Sequence, residues 1–317
     1  MRATVVKNGE MFIADVPAPP LVEGAVRIRV HTTAVNRADL LQRQGHYPPP
    51  PGASELLGLE CAGEVIDSTV AQWRSGDRVM ALLPGGGYAE EVVVEAGSVM
   101  RAPDALSWDE AGALPEVFLT AFLNVFELAR AKPGESLLVH GGGSGVGTAA
   151  ITLGKLAQLR VIVTAGSDEK CRRCIEHGAD DAINYKTEDF VERARGVDII
   201  LDHIGAPYLE RDLQALGVGG RVVIIGSMGG RAPVSLDVTS LLGKRQQIIA
   251  STLRSRPNVE KRAIAEAFVQ RFDDDLSAGR VRPVIDSVYS LEHAADAHER
   301  MAEDHFGKIA LRVAPIS

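Results

Sequence analysis

No run of about 18 apolar residues occurs in this chain, so a membrane-spanning helix is not expected. Three cysteines are too few for a disulfide framework. The formal net charge is −8 and no long basic run interrupts it, which excludes the positive stripe that a duplex or an anionic membrane would need. The N-terminus carries Glu10 and Asp15 and lacks the pattern of a secretory signal. No Ser-His-Asp arrangement or G-x-S-x-G elbow is found; Ser144 stands among glycines, but in the wrong order. These absences describe a soluble chain expected in a reducing, cytoplasmic setting, without nucleic acid or membrane as a partner. Its 317 residues suit two domains.

What is present is organised around residues 136–150, Ser-Leu-Leu-Val-His-Gly-Gly-Gly-Ser-Gly-Val-Gly-Thr-Ala-Ala. A short apolar run has the character of a parallel strand buried on both faces. The glycines turn the chain and let a backbone approach a phosphate. The small residues that follow open a helix, whose N–H groups and dipole suit a pyrophosphate. The fingerprint reads as Gly142-x-Ser144-x-x-Gly147, with serine for the middle glycine, or literally as Gly145-x-Gly147-x-x-Ala150. Either frame predicts a dinucleotide site.

Before this stretch, short alternating runs separated by prolines predict strands without intervening helices, hence an antiparallel, barrel-like first domain. In residues 25–31, Val26, Ile28 and Val30 face one way and His31 the other, which places His31 on a solvated or edge position. Residues 36–52, ending in four prolines and a glycine, do not read as a regular element. They are either a proline-stiffened connector or a cleft wall offering Asn36 and Tyr47.

After residue 116 the rhythm becomes strand and helix in alternation, the pattern of a doubly wound parallel sheet. Helices are predicted over residues 116–129, 144–159, 168–177, 208–216 and 259–276, the last closing that sheet. The second strand ends Thr164-Ala165-Gly166-Ser167 with no acid at its tip. An acid commonly binds a ribose 2′-hydroxyl there, whereas a 2′-phosphate needs donors and cations. Ser167 and Lys170 supply these, which favours NADPH over NADH; Asp168 and Glu169 weigh against it, unless they serve only as acids of the helix's first turn. Cys171 and Cys174 form half of a zinc site that Cys61 cannot complete, and they read as two ordinary thiols on a helix. His293 and His298 spread around a helix, and His140 reads as structural.

These residues carry a resemblance. The run Asn36-Arg37-Ala38-Asp39-Leu40, with residues 42–45, 49–54, 81–87, 119–122, 144–151, 164–167 and 253–256, resembles the zinc-free quinone oxidoreductases of the medium-chain dehydrogenase/reductase superfamily over nearly the whole chain. The resemblance implies an α/β protein with a GroES-like β-barrel catalytic domain, residues 1–115 and 283–317, and a Rossmann NADPH-binding domain, residues 116–282. Zinc-dependent relatives carry a cysteine near Asn36 and Gly-His-Glu where this chain has Gly58-Leu59-Glu60, so no metal is expected. NADPH would lie on Gly142, Ser144, Gly145, Val146 and Gly147, with its 2′-phosphate near Ser167, Lys170 and Tyr185. Gly226, Met228, Leu253 and Ser255 would line the nicotinamide side. Asn36, Tyr47 and Thr120 would face the nicotinamide and the acceptor in a cleft between the domains.

The implied activity is hydride transfer from NADPH to a quinone. Two alternatives stay open: an NADPH-dependent alkenal or enone reductase, and a non-enzymatic NADPH-binding or RNA-binding protein, with the negative charge opposing RNA. A homodimer is expected, with residues 247–253 as the candidate pairing strand.

Overall fold

The computed structural model describes residues 1–313. Met1–Leu119 and the chain from Leu253 onward form one compact unit, and Thr120–Thr252 form a second.

The axis of the first unit is the strand Ala25–Val35, with Val26, Ile28 and Val30 buried as a period of two demands. One side pairs antiparallel with Glu60–Ser68; the other is divided between Glu91–Glu95 at residues 25–29 and Lys308–Arg312 at residues 32–35. Arg78–Leu82 and Val99–Arg101 extend the sheet beyond Glu60–Ser68, and Ile285–Ser290 extends it beyond Lys308–Arg312. The pairing in this sheet is antiparallel apart from Ile285–Ser290 with Lys308–Arg312, which is parallel. Helix Ala294–Ala302 lies in the connection between those two strands. The C-terminal strand thus rejoins the first unit.

The second unit holds six parallel strands, in spatial order Asp181–Asn184, Arg160–Ala165, Ser136–Val139, Val197–Asp202, Leu216–Ile224 and Gln247–Ala250. Numbered along the chain this is 3-2-1-4-5-6, the Rossmann order. The order reverses beside Ser136–Val139, where the rule for open parallel sheets puts the ligand outside the strands' carboxyl ends. Leu138, Ile162, Ile183, Ile200 and Val222 are buried in the core of this unit.

Four expectations need correction. Residues 37–43 do form a regular element: a helix, Arg37–Arg43, capped by Asn36 and Asp39 in a reciprocal box, so only the proline half of that segment is irregular. His31 is neither solvated nor on an edge strand. Its ring stacks on Trp108 at 4.5 Å with 4° between planes, while the Arg78 guanidinium lies 3.7 Å from the Trp108 centroid. Burial lowers the pKa of His31 accordingly. The helix over residues 116–129 is α-helical only in Pro115–Phe122 and continues as a π-helical turn, Leu123–Leu128.

The long helix, Asn258–Ser277, packs on the first unit and not on the nucleotide sheet. Phe268 meets Phe118 at 6.5 Å between centroids, Arg262 pairs with Glu95, and Gly97 leaves room under the Arg262 side chain. The unit boundaries therefore fall after residues 119 and 252, not after 115 and 282. Apolar periodicity reveals that a helix has a face to bury, but not which layer receives it.

Candidate active site

In the second unit, the strand Ser136–Val139 ends in a bare backbone turn. Gly141 has φ +67, and a Cβ there would stand 2.4 Å from His203. A Cβ on Gly142 would strike Val163 and Cys174, and one on Gly147 would lie 2.3 Å from the Gly141 carbonyl oxygen. Ser144 is the N-cap of helix Gly145–Leu156, its Oγ accepting from Gly147 N–H at 3.0 Å. The turn therefore follows the frame Gly142, Ser144, Gly147. The first intrahelical bond runs from Thr148 N–H to Ser144 O, so the Gly145 and Val146 N–H groups belong to the unbonded helix start. A cradle this free of side chains, at a helix N-terminus, fits a pyrophosphate.

Ser167 and Tyr185 flank Gly166, and Lys170 follows on the helix that Ser167 caps. Ser167 caps helix Asp168–Glu176, its Oγ accepting from Lys170 N–H at 3.3 Å. The Tyr185 hydroxyl lies 2.7 Å from where a Cβ on Gly166 would stand. Asp168 is turned aside, its carboxylate accepting from Asn184 Nδ2 at 2.7 Å. Gly226 is close enough to the His203 backbone that a Cβ would meet its carbonyl oxygen at 3.0 Å, and Met228 N–H donates to that same oxygen. The Met228 side chain is exposed. Thr120 stands in helix Pro115–Phe122, its carbonyl accepting from Asn124 Nδ2 at 2.7 Å.

Beneath the glycine turn lies a buried polar group of His140, Asp202 and Asp212. His140 engages Thr164 Oγ1 at 3.1 Å and Asp212 Oδ1 at 2.9 Å, and Asp202 accepts from the Ile204 and Gly205 N–H groups. Burial, and then the neighbouring Asp212, push Asp202 up to about 6.

The first unit holds a second polar group, knotted around a buried ammonium. Lys308 Nζ donates to Asn36 Oδ1 at 2.6 Å, Glu60 Oε1 at 2.7 Å and Val35 O at 3.0 Å. Asn36 Nδ2 donates to the same Glu60 oxygen at 2.8 Å and to Ala34 O at 3.3 Å. Glu60 Oε2 accepts from Glu116 N–H at 2.9 Å. Asp39 accepts from the N–H groups of Asn36 and Gly58, and burial pushes it up to about 6. Burial, reinforced by Glu60, pushes Glu116 up to about 8.

Tyr47 lies beside Arg254, which is 4% exposed. The Arg254 guanidinium donates to Gln42 Oε1 at 2.6 Å and Pro84 O at 2.9 Å, and lies 5.3 Å from the Tyr47 ring. Burial raises the Tyr47 phenol above its usual value, with Arg254 opposing. Leu253 is buried next to Arg254 in the chain, and Ser255 is exposed.

Known proteins share this architecture. Residues 22–104 match the alcohol dehydrogenase GroES-like domain family and residues 177–311 the zinc-binding dehydrogenase family. The mouse quinone oxidoreductase is 32% identical over 297 residues, 90% of this chain and 88% of its own length. This chain belongs to the medium-chain dehydrogenase/reductase superfamily. Among solved structures, a quinone oxidoreductase from Thermus thermophilus, also determined in complex with NADPH, has a TM-score of 0.83 at 32% identity, covering 99% of this chain and 100% of that one. An NAD-dependent alcohol dehydrogenase has a TM-score of 0.85 at 31% identity, covering 99% and 100%. The protein is thus an oxidoreductase of this superfamily, with a GroES-like unit and a Rossmann unit. No helix among the described residues is long and apolar enough to cross a membrane.

Reading the sequence alone missed Lys308, Asp39, Glu116 and Arg254. Lys308 opens an apolar strand, and nothing next to it in the chain marks it as buried. Its signal was available only in combination: a lysine in a strand otherwise buried, and a Glu60 in need of a counter-charge.

Proposed function

We propose that the protein is an NADPH-dependent quinone reductase that works without zinc. The observation that carries the reading is the Lys308 ammonium on Glu60, both groups almost fully buried. Zinc in such enzymes takes three protein ligands drawn from thiolate, imidazole and carboxylate. Here Asn36 offers an amide, the Glu60 carboxylate is already bound by a cation, and burial raises the neighbouring Cys61 thiol far from ionisation. This donor set does not fit zinc, so alcohol oxidation through a metal alkoxide has no support. The acceptor must instead be electrophilic by itself, as a quinone is.

The cofactor is supported by the cradle at Gly142, Ser144 and Gly147, and its 2′-phosphate by Ser167, Lys170 and Tyr185. When bound, the nicotinamide supplies a hydride. The chain's own contribution is to fix and orient the two reactants, which alone can supply about 7–11 kcal/mol. Asn36 is locked by Lys308 and Glu60 and acts as a rigid wall, while Tyr47, steadied by Arg254, meets the acceptor. Thr120, Gly226, Met228, Leu253 and Ser255 complete the nicotinamide side. Three free cysteines accord with a cytoplasmic setting. Strand Gln247–Ala250, at an edge of its sheet, is the pairing edge of a homodimer.

An assay panel tests this directly. NADPH oxidation is followed with 1,2- and 1,4-quinones and with enals, alongside NADPH and NADH affinities. Turnover with quinones and tighter binding of NADPH are expected. Turnover with enals alone, or equal affinity for NADH, overturns the reading.

A further inference from the structure

The polar group of the first unit leaves one carboxyl uncommitted. Asp39 spends its two oxygens on the N–H groups of Asn36 and Gly58. Glu60 spends its own on Lys308, Asn36 and the Glu116 N–H. Both are fully buried. Glu116 is different: among the described residues no hydrogen bond holds its carboxyl, and it keeps partial exposure. It sits at the start of helix Pro115–Phe122, tied to the knot by its backbone and free at its head.

The charges that face Glu116 oppose one another. Glu60 and Asp39 disfavour its anion, Lys308 and Arg254 favour it, and Lys261 and Tyr47 both feel its charge. With burial added, the carboxyl keeps its proton up to a pH of about 8. A group that is protonated at neutral pH, unbonded and reachable by solvent can give its proton away and be reprotonated. We propose that Glu116 is the proton donor that completes the reduction catalysed by this protein, a role that rests on the quinone reductase reading above.

The chemistry balances. Two-electron reduction of a quinone takes up one hydride and one proton. The hydride brings both electrons and makes the first O–H bond; the proton leaves the Glu116 oxygen and makes the second. The resulting carboxylate regains a proton from water, and the carboxyl is neither oxidised nor reduced. Tyr47 is the weaker candidate for this step. A hydroquinone monoanion is a phenolate of ordinary pKa about 10, and burial lifts Tyr47 above 10, so transfer from Tyr47 runs uphill and transfer from Glu116 downhill.

The test combines a spectroscopic titration of the protein alone with kinetics. In the wild type, infrared difference spectra should show a protonated-carboxyl stretch at neutral pH that is lost with a midpoint near pH 8 and is absent from Glu116→Gln. Quinone turnover in Glu116→Gln should fall by about 10²–10⁴-fold, with NADPH affinity unchanged. The wild-type fall in kcat above pH 8 should vanish in the variant, and Glu116→Asp should recover part of the rate. A wild-type spectrum without a carboxyl titrating near pH 8, or Glu116→Gln turning over quinone at the wild-type rate, overturns the proposal alone. A wild type that turns over none of the quinones overturns the functional reading and this proposal together.

Discussion

Lys308 shows how much one buried charge decides. It is 2% exposed and donates three hydrogen bonds, so the ion pair with Glu60 is held by geometry and not by charge alone. Taking an ammonium and a carboxylate out of water costs several kcal/mol each, and removing one partner leaves the other uncompensated. Lys308→Met should therefore lower stability by about 3–5 kcal/mol, read as a shift of the urea midpoint. Adding Glu60→Gln should restore much of the loss, because an amide costs far less to bury. If the double variant is no better than the single one, the ion pair is not what the site requires. At this scale the sequence is least legible. Asn36 and Tyr47 can be singled out from composition, but their partners Lys308 and Arg254 lie 272 and 207 residues away. No local pattern links residues so distant.

Elements are far more legible. The parallel strands are short, apolar and separated by helices at regular spacing, and five of the six can be read from the sequence to within a few residues of their observed bounds; Leu216–Ile224 starts five residues before its apolar run, where the sequence reads as the end of a helix. What escapes such a reading has no periodic apolar signal. Helix Val238–Lys244 has no buried residue, so it leaves no stripe to detect. Helix Arg37–Arg43 buries only Asp39 and Leu40, and its cap is hidden beside a proline run. The glycine turn is the element most exposed to a single change. A Cβ on Gly147 would stand 2.3 Å from Gly141 O and 2.6 Å from Gly142 O, both backbone atoms that cannot swing away. Gly147→Ala should push the turn and helix apart, abolishing NADPH binding in a fluorescence titration while far-UV circular dichroism stays near wild type. Wild-type affinity in that variant would remove the turn from the cofactor site.

At the scale of the whole molecule, two units are legible, but their borders are not, because Asn258–Ser277 gives no sequence sign of which sheet it covers. Surface apolar groups also gain meaning only here. Val238 and Leu242 are 58% and 71% exposed on the short helix preceding the edge strand Gln247–Ala250. A homodimer built on that edge would cover them. Sedimentation should give a dimer for the wild type and a monomer for Val238→Glu/Leu242→Glu; a monomeric wild type ends the idea. Glu60 and Lys308 are separated by 248 residues, and the strand that carries Lys308 completes the sheet begun by Ala25–Val35. At about 5–20 residues per second, roughly 12–50 s pass on the ribosome between the carboxylate and its ammonium. The Rossmann unit, contiguous in the chain, emerges whole within that interval. The unit whose synthesis starts first is therefore the one that finishes folding last, and Lys308 is the latch that closes it.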